Sequence, residues 1–260
     1  MPNERRARIR EFIESHGEAS MEELAGLCSG CSSMTLWRDL KKLEDAGAIR
    51  RKRNGAIAMR LVQTEGEGIY AQRALTNQQA KNEIAGLALE YVQSGHSVFL
   101  DAGSTTMALV KQLPDRYYNI LTSGTNISSE LSQRSKCTVS IVGGQVNGNT
   151  LSCSGPQAEV FIDGVNIDIA IMATSGYSLN NGFTSGSFSE HQLKRKVIKK
   201  AKRVVMLMDH SKIDHSMPYT FATLQDIDVL ISDAPLPPEI RAEAERCGVL
   251  VSTGDRVIQE

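Results

Sequence analysis

The stretch Val98-Phe99-Leu100-Asp101-Ala102-Gly103-Ser104-Thr105-Thr106 constrains this chain more than any other. A short apolar run ends on a carboxylate, turns on a glycine and enters a segment with Met107, Leu109, Val110 and Leu113 at helical spacing. Strand, glycine, hydroxyls, helix is the order that an anion cradle needs. The glycine allows a tight turn, the first helical N–H groups have no partner inside the helix, and the hydroxyls add donors. Asp101 is the exception, because a carboxylate repels a phosphate; it suits sugar hydroxyls or loop amides better. The competing reading is an ordinary strand-to-helix turn with Ser104 as N-cap. No Gly-Lys-Ser/Thr follows and the spacing is not G-x-G-x-x-G, so the cradle suits a small phosphate ester better than a nucleotide.

Apolar runs of the same kind recur down the chain. Strands are expected at 98–101, 119–122, 138–142, 168–172, 204–209, 229–232 and 249–251, with helical segments between most of them. Near-continuous apolar strands alternating with helices predict an α/β domain, a mostly parallel sheet covered on both faces. Ligands of such sheets sit beyond the carboxyl ends of the strands. Standing there are Asp101, Gly103, Ser104, Thr105 and Thr106, then Thr122 and Ser123, then Gly144. Glu190 and Lys194 follow the glycines at 182 and 186, and Asp209 and Lys212 close the series. Carboxylates for hydroxyls, with lysines and helix termini for phosphate, suit a polyol phosphate. Glu190 and Lys194 also read as an i, i+4 surface ion pair. His191, His210 and His215 stand at no ligand spacing and receive no role.

The first 60 residues read differently. Ile9, Phe12 and Ile13 mark one helix, and Ser20 with Glu23 forms a capping box opening a second. After a turn of small residues, Leu36, Leu40 and Leu43 place a third helix's buried stripe, leaving Met34, Thr35, Arg38, Lys41 and Lys42 on the other side. Asn54-Gly55 is a strong hairpin signal inside a strand pair rimmed by Arg50, Arg51, Lys52 and Arg53. Together these predict a winged helix-turn-helix. Ser33, Thr35 and Arg38 are placed to reach base edges of duplex DNA, and Lys41, Lys42 and Arg50 to Arg53 to neutralise phosphates. Trp37 falls at the helix edge and reads as a packing residue. The competing reading of the basic face is mere solvation.

Charge agrees with this division. Residues 1–60 hold 12 Lys/Arg against 9 Asp/Glu, leaving 17 against 21 in the remainder of a chain of net charge −1. Such asymmetry points to a nucleic-acid-contacting module at one end. The resulting domains are 1–60 for DNA, 61–77 as linker and 78–260 for sensing and oligomerisation; Tyr70 to Tyr91 carries helical spacing throughout. No apolar run reaches about 18 residues and no signal-peptide core opens the chain, so a cytoplasmic protein without membrane attachment is expected. Five scattered cysteines fit reduced thiols. Cys28 and Cys31 form a C-x-x-C, but no second Cys/His pair stands nearby to complete a zinc site. A redox pair, or two small semi-buried turn residues, remain as readings. No metal and no cofactor are expected.

On these residues the chain resembles the DeoR family of bacterial transcriptional regulators over nearly its full length. The resemblance is carried by Met34-Thr35-Leu36-Trp37-Arg38-Asp39-Leu40 with Leu43, Glu44 and Gly47, and by the wing Asn54-Gly55-Ala56. In the second domain it is carried by Leu100 to Thr106, Leu121-Thr122-Ser123, Gly143-Gly144, Ser154-Gly155-Pro156, Gly182 with Lys194-Arg195, and Asp209-x-Ser211-Lys212. The resemblance implies a repressor of sugar catabolism, released from its operator by a phosphorylated sugar. It also implies a sensor built like the sugar-phosphate isomerases, and an oligomer.

The chain departs from the family in four places. The turn before the recognition helix is one residue longer, Trp37 replaces an arginine, and Arg53 replaces a histidine. Ala173-Thr174-Ser175-Gly176 stands where the family shows Gly-Ala-Asp-Gly, and that aspartate resembles a catalytic carboxylate of the isomerases. A hydroxyl in its place cannot move a proton near neutral pH. The expectation is therefore a sugar-phosphate-responsive repressor, not an enzyme. Two rivals stand beside it: an isomerase using Glu190 or Asp209 as base, and a DNA-binding protein that senses nothing.

Overall fold

The computed structural model describes residues 2–16, 18–28, 30–46, 48–52, 54–58 and 69–254. The chain divides into two compact units, Met1–Gly68 and Ile69–Glu260.

The first unit runs α1 (Pro2–His16), β1 (Glu18–Ser20), α2 (Met21–Leu27), α3 (Ser33–Asp45), β2 (Ile49–Lys52) and β3 (Gly55–Ala58). The capping box forms: Ser20 Oγ accepts from Glu23 N, and Ser20 N donates to the Glu23 carboxylate at 2.8 Å. Ile9 and Ile13 of α1, Leu24 of α2, and Leu36 and Leu40 of α3 are fully buried against one another, with Leu43 beside them. Arg5 Nε donates to Asp39 Oδ2 at 2.6 Å, tying α1 to α3.

Two details differ from the sequence reading. The wing has a third strand, since β1 pairs antiparallel with β3, giving the order β1-β3-β2. The hairpin also turns one residue earlier than Asn54-Gly55 suggests, because Gly55 already pairs with Lys52. The cause is the added strand. A Cβ on Gly55, whose φ is +156°, would lie 2.1 Å from the Ala19 carbonyl oxygen, so glycine serves the close approach of β1 rather than the turn.

The second unit begins with α4 (Tyr70–Leu75) and α5 (Gln78–Ala88), followed by a 3-10 turn at Leu89–Tyr91. The continuous helix expected from Tyr70 to Tyr91 is thus broken, and residues 70–75 are helical within the segment read as linker. Asn77, with φ +52°, supplies the break, while the apolar spacing carries on through it. Next come β4 (Ser97–Leu100), α6 (Ser104–Gln112), β5 (Tyr118–Thr122), α7 (Thr125–Ser132), β6 (Cys137–Ile141), β7 (Gln145–Asn147), β8 (Ser152–Ser154) and α8 (Pro156–Asp163). β9 (Ile167–Ala173), β10 (Gly176–Ser178), β11 (Gly182–Ser185), α9 (Phe188–Lys200) and β12 (Ala201–Leu207) follow. β13 (Tyr219–Ala222), β14 (Val229–Ser232), α10 (Pro238–Arg246) and β15 (Leu250–Thr253) complete it.

Seven strands pair in parallel in the order β15-β14-β12-β9-β4-β5-β6. Alternate residues serve opposite cores. Val98 and Leu100 join Ile84 and Ala88 of α5, Leu109 and Val110 of α6, and Ile127 and Leu131 of α7. Phe99 joins Met172, Ala158 and Ile162 of α8, and Leu193 and Val197 of α9. Apolar clusters cover both faces of the inner strands, which therefore read as near-continuous apolar runs. From β4 the chain lays β5 and β6 to one side, then returns to place β9, β12, β14 and β15 on the other. The order reverses between β4 and β9, which is where such sheets open a crevice.

Candidate functional site

In the first unit the outward face of α3 carries exposed Ser33, Met34, Arg38, Lys41 and Lys42. Thr35 is half-buried and its N–H donates to Ser32 Oγ at 3.3 Å, so it also closes the N-cap of the helix. Arg50, Arg51 and Lys52 are exposed on β2. Two of these cations are held within the unit. Arg51 donates its N–H to Glu44 Oε1 at 2.9 Å and its Nε to Glu44 Oε2 at 2.5 Å, with the guanidinium 5.9 Å from the Trp37 ring. Lys52 Nζ donates to Glu18 Oε2 at 2.7 Å. Trp37 is half-buried against the core, and Arg53 lies outside the described residues.

At the sheet edge of the second unit, the reversal between β4 and β9 places Asp101 beside Ala173. Asp101 is buried; its Oδ2 accepts from Ala173 N at 3.0 Å and from Lys194 Nζ of α9. Lys194 Nζ also donates to Ala173 O at 2.8 Å and stands 4.9 Å from the Phe221 ring. The charge of Asp101 is therefore matched where it stands, which removes the objection to an anion nearby. Ser104 is not the N-cap of α6. Gly103 is, in extended backbone and with no side-chain cap, so the first N–H groups of α6 keep no side-chain partner. Thr105 and Thr106 are buried, and Thr106 Oγ1 has no hydrogen-bond partner among the described residues.

Other expected residues serve the loops around this point. Thr122 Oγ1 donates to Leu100 O at 2.7 Å and accepts from Gly124 N at 3.0 Å; Ser123 Oγ accepts from Ala102 N at 3.1 Å. Gly144 has φ +124°, and a Cβ there would lie 2.4 Å from Ser154 O, so no side chain fits. Glu190 and Lys194 are not a surface pair, for both are buried. Glu190 Oε1 accepts from Thr150 Oγ1 at 2.7 Å and from Ser152 Oγ, fastening the β7–β8 hairpin to α9. Thr174, in the departing Ala-Thr-Ser-Gly segment, donates its hydroxyl to Gly176 O at 2.7 Å and accepts from Thr184 N at 3.2 Å, bracing β10 and β11.

Past β12, Asp209 is buried and accepts from Ser211 N at 3.1 Å, from Ser211 Oγ and from Asn77 Nδ2 at 3.2 Å. Lys81 donates to Arg73 O and, at 2.7 Å, to Thr76 O. Burial pushes the Lys81 ammonium down to about 8, with Lys212 and Arg73 adding to the shift and Asp209 opposing it. Despite its burial Asp209 is held below the usual carboxylate range, by Lys212, Ser211, Lys81 and Asn77. Half-buried Lys212 stands in the same loop. The sequence reading passed over Asn77, Lys81, Thr150 and Ser152. Lys81 had a signal, standing with Ile84, Ala85 and Ala88 on the buried stripe of α5. His210, given no role, pairs its Nδ1 with buried Asp233 Oδ2 at 2.6 Å. Among the described residues no His/Cys/Asp/Glu group is built to hold a metal, and no helix is long and apolar enough to cross a membrane.

The profile described as the DeoR C terminal sensor domain matches residues 76–234, and the DeoR-like helix-turn-helix domain matches residues 5–60. This chain belongs to the DeoR family of transcriptional regulators. It is 33% identical to the HTH-type transcriptional regulator GlpR of Haloferax volcanii over 255 residues, 98% of each chain. It is 32% identical to the HTH-type transcriptional repressor GlcR of Bacillus subtilis, over 88% of each. A putative aga operon transcriptional repressor of Escherichia coli O157:H7 is 26% identical over 96% of this chain and 93% of its own. Among solved structures, ribose 5 phosphate isomerase A from Neisseria gonorrhoeae overlaps 54% of this chain and 55% of its own at TM-score 0.39 and 15% identity, too slight a likeness to build on. As a DeoR-family member the chain is a DNA-binding regulator rather than an enzyme, and the isomerase alternative falls.

Proposed function

We propose that this DeoR-family protein is a repressor of a sugar-catabolism operon, working as a homo-oligomer and released from its operator by a phosphorylated sugar. The observation that carries this reading is the neutralised Asp101–Lys194 pair beside the uncapped start of α6. The N–H groups of Ser104 to Thr106 and the unpartnered Thr106 hydroxyl supply donors for a phosphate, with no net charge from the pair to oppose it. Polar groups at the ends of β4, β9 and β12, about 5 Å apart from strand to strand, are spaced for a polyol's hydroxyls. GlcR and the putative aga operon regulator bear the name repressor, which agrees with negative control.

Ligand at this edge shifts the sensor between states only by its differential affinity for them. Paired winged helices then lose the half-site spacing of about one helical turn, or a multiple, that the operator presents. The test is fluorescence anisotropy on DNA from the protein's own upstream region, at fixed salt, with a panel of sugar phosphates and their unphosphorylated sugars. Release by one ester but not by its parent sugar is expected. Tight binding indifferent to every ester would leave a DNA-binding protein that senses nothing.

A further inference from the structure

The turn between α2 and α3 contains a pair of thiols at the edge of the first unit's core. Cys28 is buried at the C-terminal end of α2, where its N–H donates to Leu24 O at 3.0 Å. Cys31 is half-buried and immediately precedes Ser32, the N-cap of α3. The N–H of Cys31 donates to Cys28 O at 3.1 Å, closing a four-residue turn. Such a turn brings its end Cα atoms within about 7 Å, and a disulfide spans Cα separations of about 4.4–6.8 Å. Both side chains border one cluster, Cys28 within the group formed by Leu24, Leu36 and Leu40 and Cys31 packed against it. Gly30 has φ +91°, and a Cβ placed there would meet nothing within 4 Å.

We propose that Cys28 and Cys31 are a redox-active dithiol, which a peroxide converts to an intramolecular disulfide across this turn, weakening the unit's hold on DNA. Accessibility assigns the roles. Cys31 is the more exposed, and the Arg5 guanidinium, which bonds Asp39, also interacts electrostatically with its thiol. A cation beside a partly exposed sulfur is the setting in which thiols meet peroxides. Cys28, whose thiol burial pushes up, is the resolving partner.

The Cys31 thiolate attacks one peroxide oxygen and the O–O bond breaks. Hydroxide leaves and takes up the proton that the thiol released, giving water, while Cys31 becomes a sulfenic acid. The Cys28 sulfur then attacks the Cys31 sulfur. The S–O bond breaks, a second water leaves with the Cys28 proton, and the S–S bond forms. Two thiols are oxidised by two electrons and one peroxide is reduced to two waters.

The bridge acts where base reading starts. Ser32 Oγ lies 3.0 Å from Thr35 Oγ1 and caps its N–H, so moving residue 31 moves the first turn of α3, which carries Ser33 and Thr35. That consequence rests on the assignment of α3 to the DNA face; the chemistry of the pair does not.

The experiment treats the full chain with one equivalent of hydrogen peroxide, then alkylates with iodoacetamide and maps the peptides by mass. The expected result is loss of alkylation at Cys28 and Cys31 alone, in a peptide lighter by two hydrogens and restored by dithiothreitol. Cys137, Cys153 and Cys247 serve as internal controls. In parallel, anisotropy at fixed salt on a duplex from the protein's own upstream region should show affinity falling about tenfold on oxidation and returning on reduction. Cys31→Ser, at the half-exposed position, should be insensitive in both readouts. Cys28→Ala should instead trap a dimedone-reactive sulfenic acid at Cys31. Alkylation persisting at both cysteines, while the other thiols oxidise, would overturn the proposal. A bridge that forms without changing affinity would overturn its regulatory half.

Discussion

Lys194 and Asp101, 93 residues apart, form a buried ion pair that joins α9 to the end of β4 across the carbonyl of Ala173. The pair stands where the strand order reverses, and each side chain also bonds the backbone of Ala173 in β9. The carboxylate at the end of β4 thus takes its compensating charge from the far half of the domain.

Removing one partner of a buried pair strands the other's charge, at a cost of about 3–5 kcal/mol. Asp101→Ala and Lys194→Met should each lower the unfolding free energy in urea by that amount, and the double variant should lose less than their sum. A double-mutant cycle by chemical denaturation measures the difference. Strictly additive losses would mean that the two side chains stabilise the fold independently.

Lys81 makes stability depend on alkaline pH. Its folded pKa is pushed down to about 8 by burial, below the ordinary 10.5 of the unfolded chain. Between those values the unfolded chain holds a proton that the native protein has shed, so stability rises with pH across the window. The gain is at most roughly 3 kcal/mol at the upper end. Urea melts at pH 7.5 and 10 should show the rise in the parent protein and not in Lys81→Met. An equal rise in both would assign it to other groups.

The large sheet was legible because its inner strands β4, β9 and β14 are predominantly apolar on both faces, as burial between two helical layers requires. The small strands were not. β10, β11 and β13 are three or four residues long and rich in glycine and hydroxyls, so their pairing comes from tertiary contacts rather than periodicity. The helix break escaped because Asn77 interrupts the backbone without interrupting the apolar spacing. The site was legible in part for a related reason. Asp101 and Lys194 were recognisable as chemistry, but their contact depends on α9 packing over β9, which no local pattern encodes. Thr150 and Ser152 reach Glu190 only through the register of the β7–β8 hairpin.

Gly55 answers to the strand beside it, not to its turn. Gly55→Ala drives a methyl to 2.1 Å from Ala19 O at a backbone angle that L side chains rarely adopt. The loss should be roughly 2–4 kcal/mol, concentrated in the first unit. Amide exchange in β1 and β3 should accelerate while that of β4 and β9 stays unchanged. Uniform acceleration would show that the damage is not confined to the wing.

The wing's cations are not equivalent. Lys52 and Glu18 are largely exposed, with side-chain exposures of 46% and 63%, so their 2.7 Å pair contributes little stability. It does hold a negative charge beside the basic strand proposed to meet DNA phosphates. Glu18→Gln should therefore raise DNA affinity by about two- to fivefold, with stability unchanged within about 0.5 kcal/mol. Lys41, on α3, is exposed to solvent. Lys41→Ala should weaken binding alike on every sequence and reduce the slope of log affinity against log salt by about 0.9, the signature of one phosphate contact. Arg51 differs from both, because Glu44 and Trp37 hold it to α3. Arg51→Ala should loosen the wing as well as weaken binding, and so lower the melting temperature where Lys41→Ala does not. Anisotropy across a salt series, beside thermal melts, separates the three. An unchanged salt slope for Lys41→Ala would remove that lysine from the DNA face.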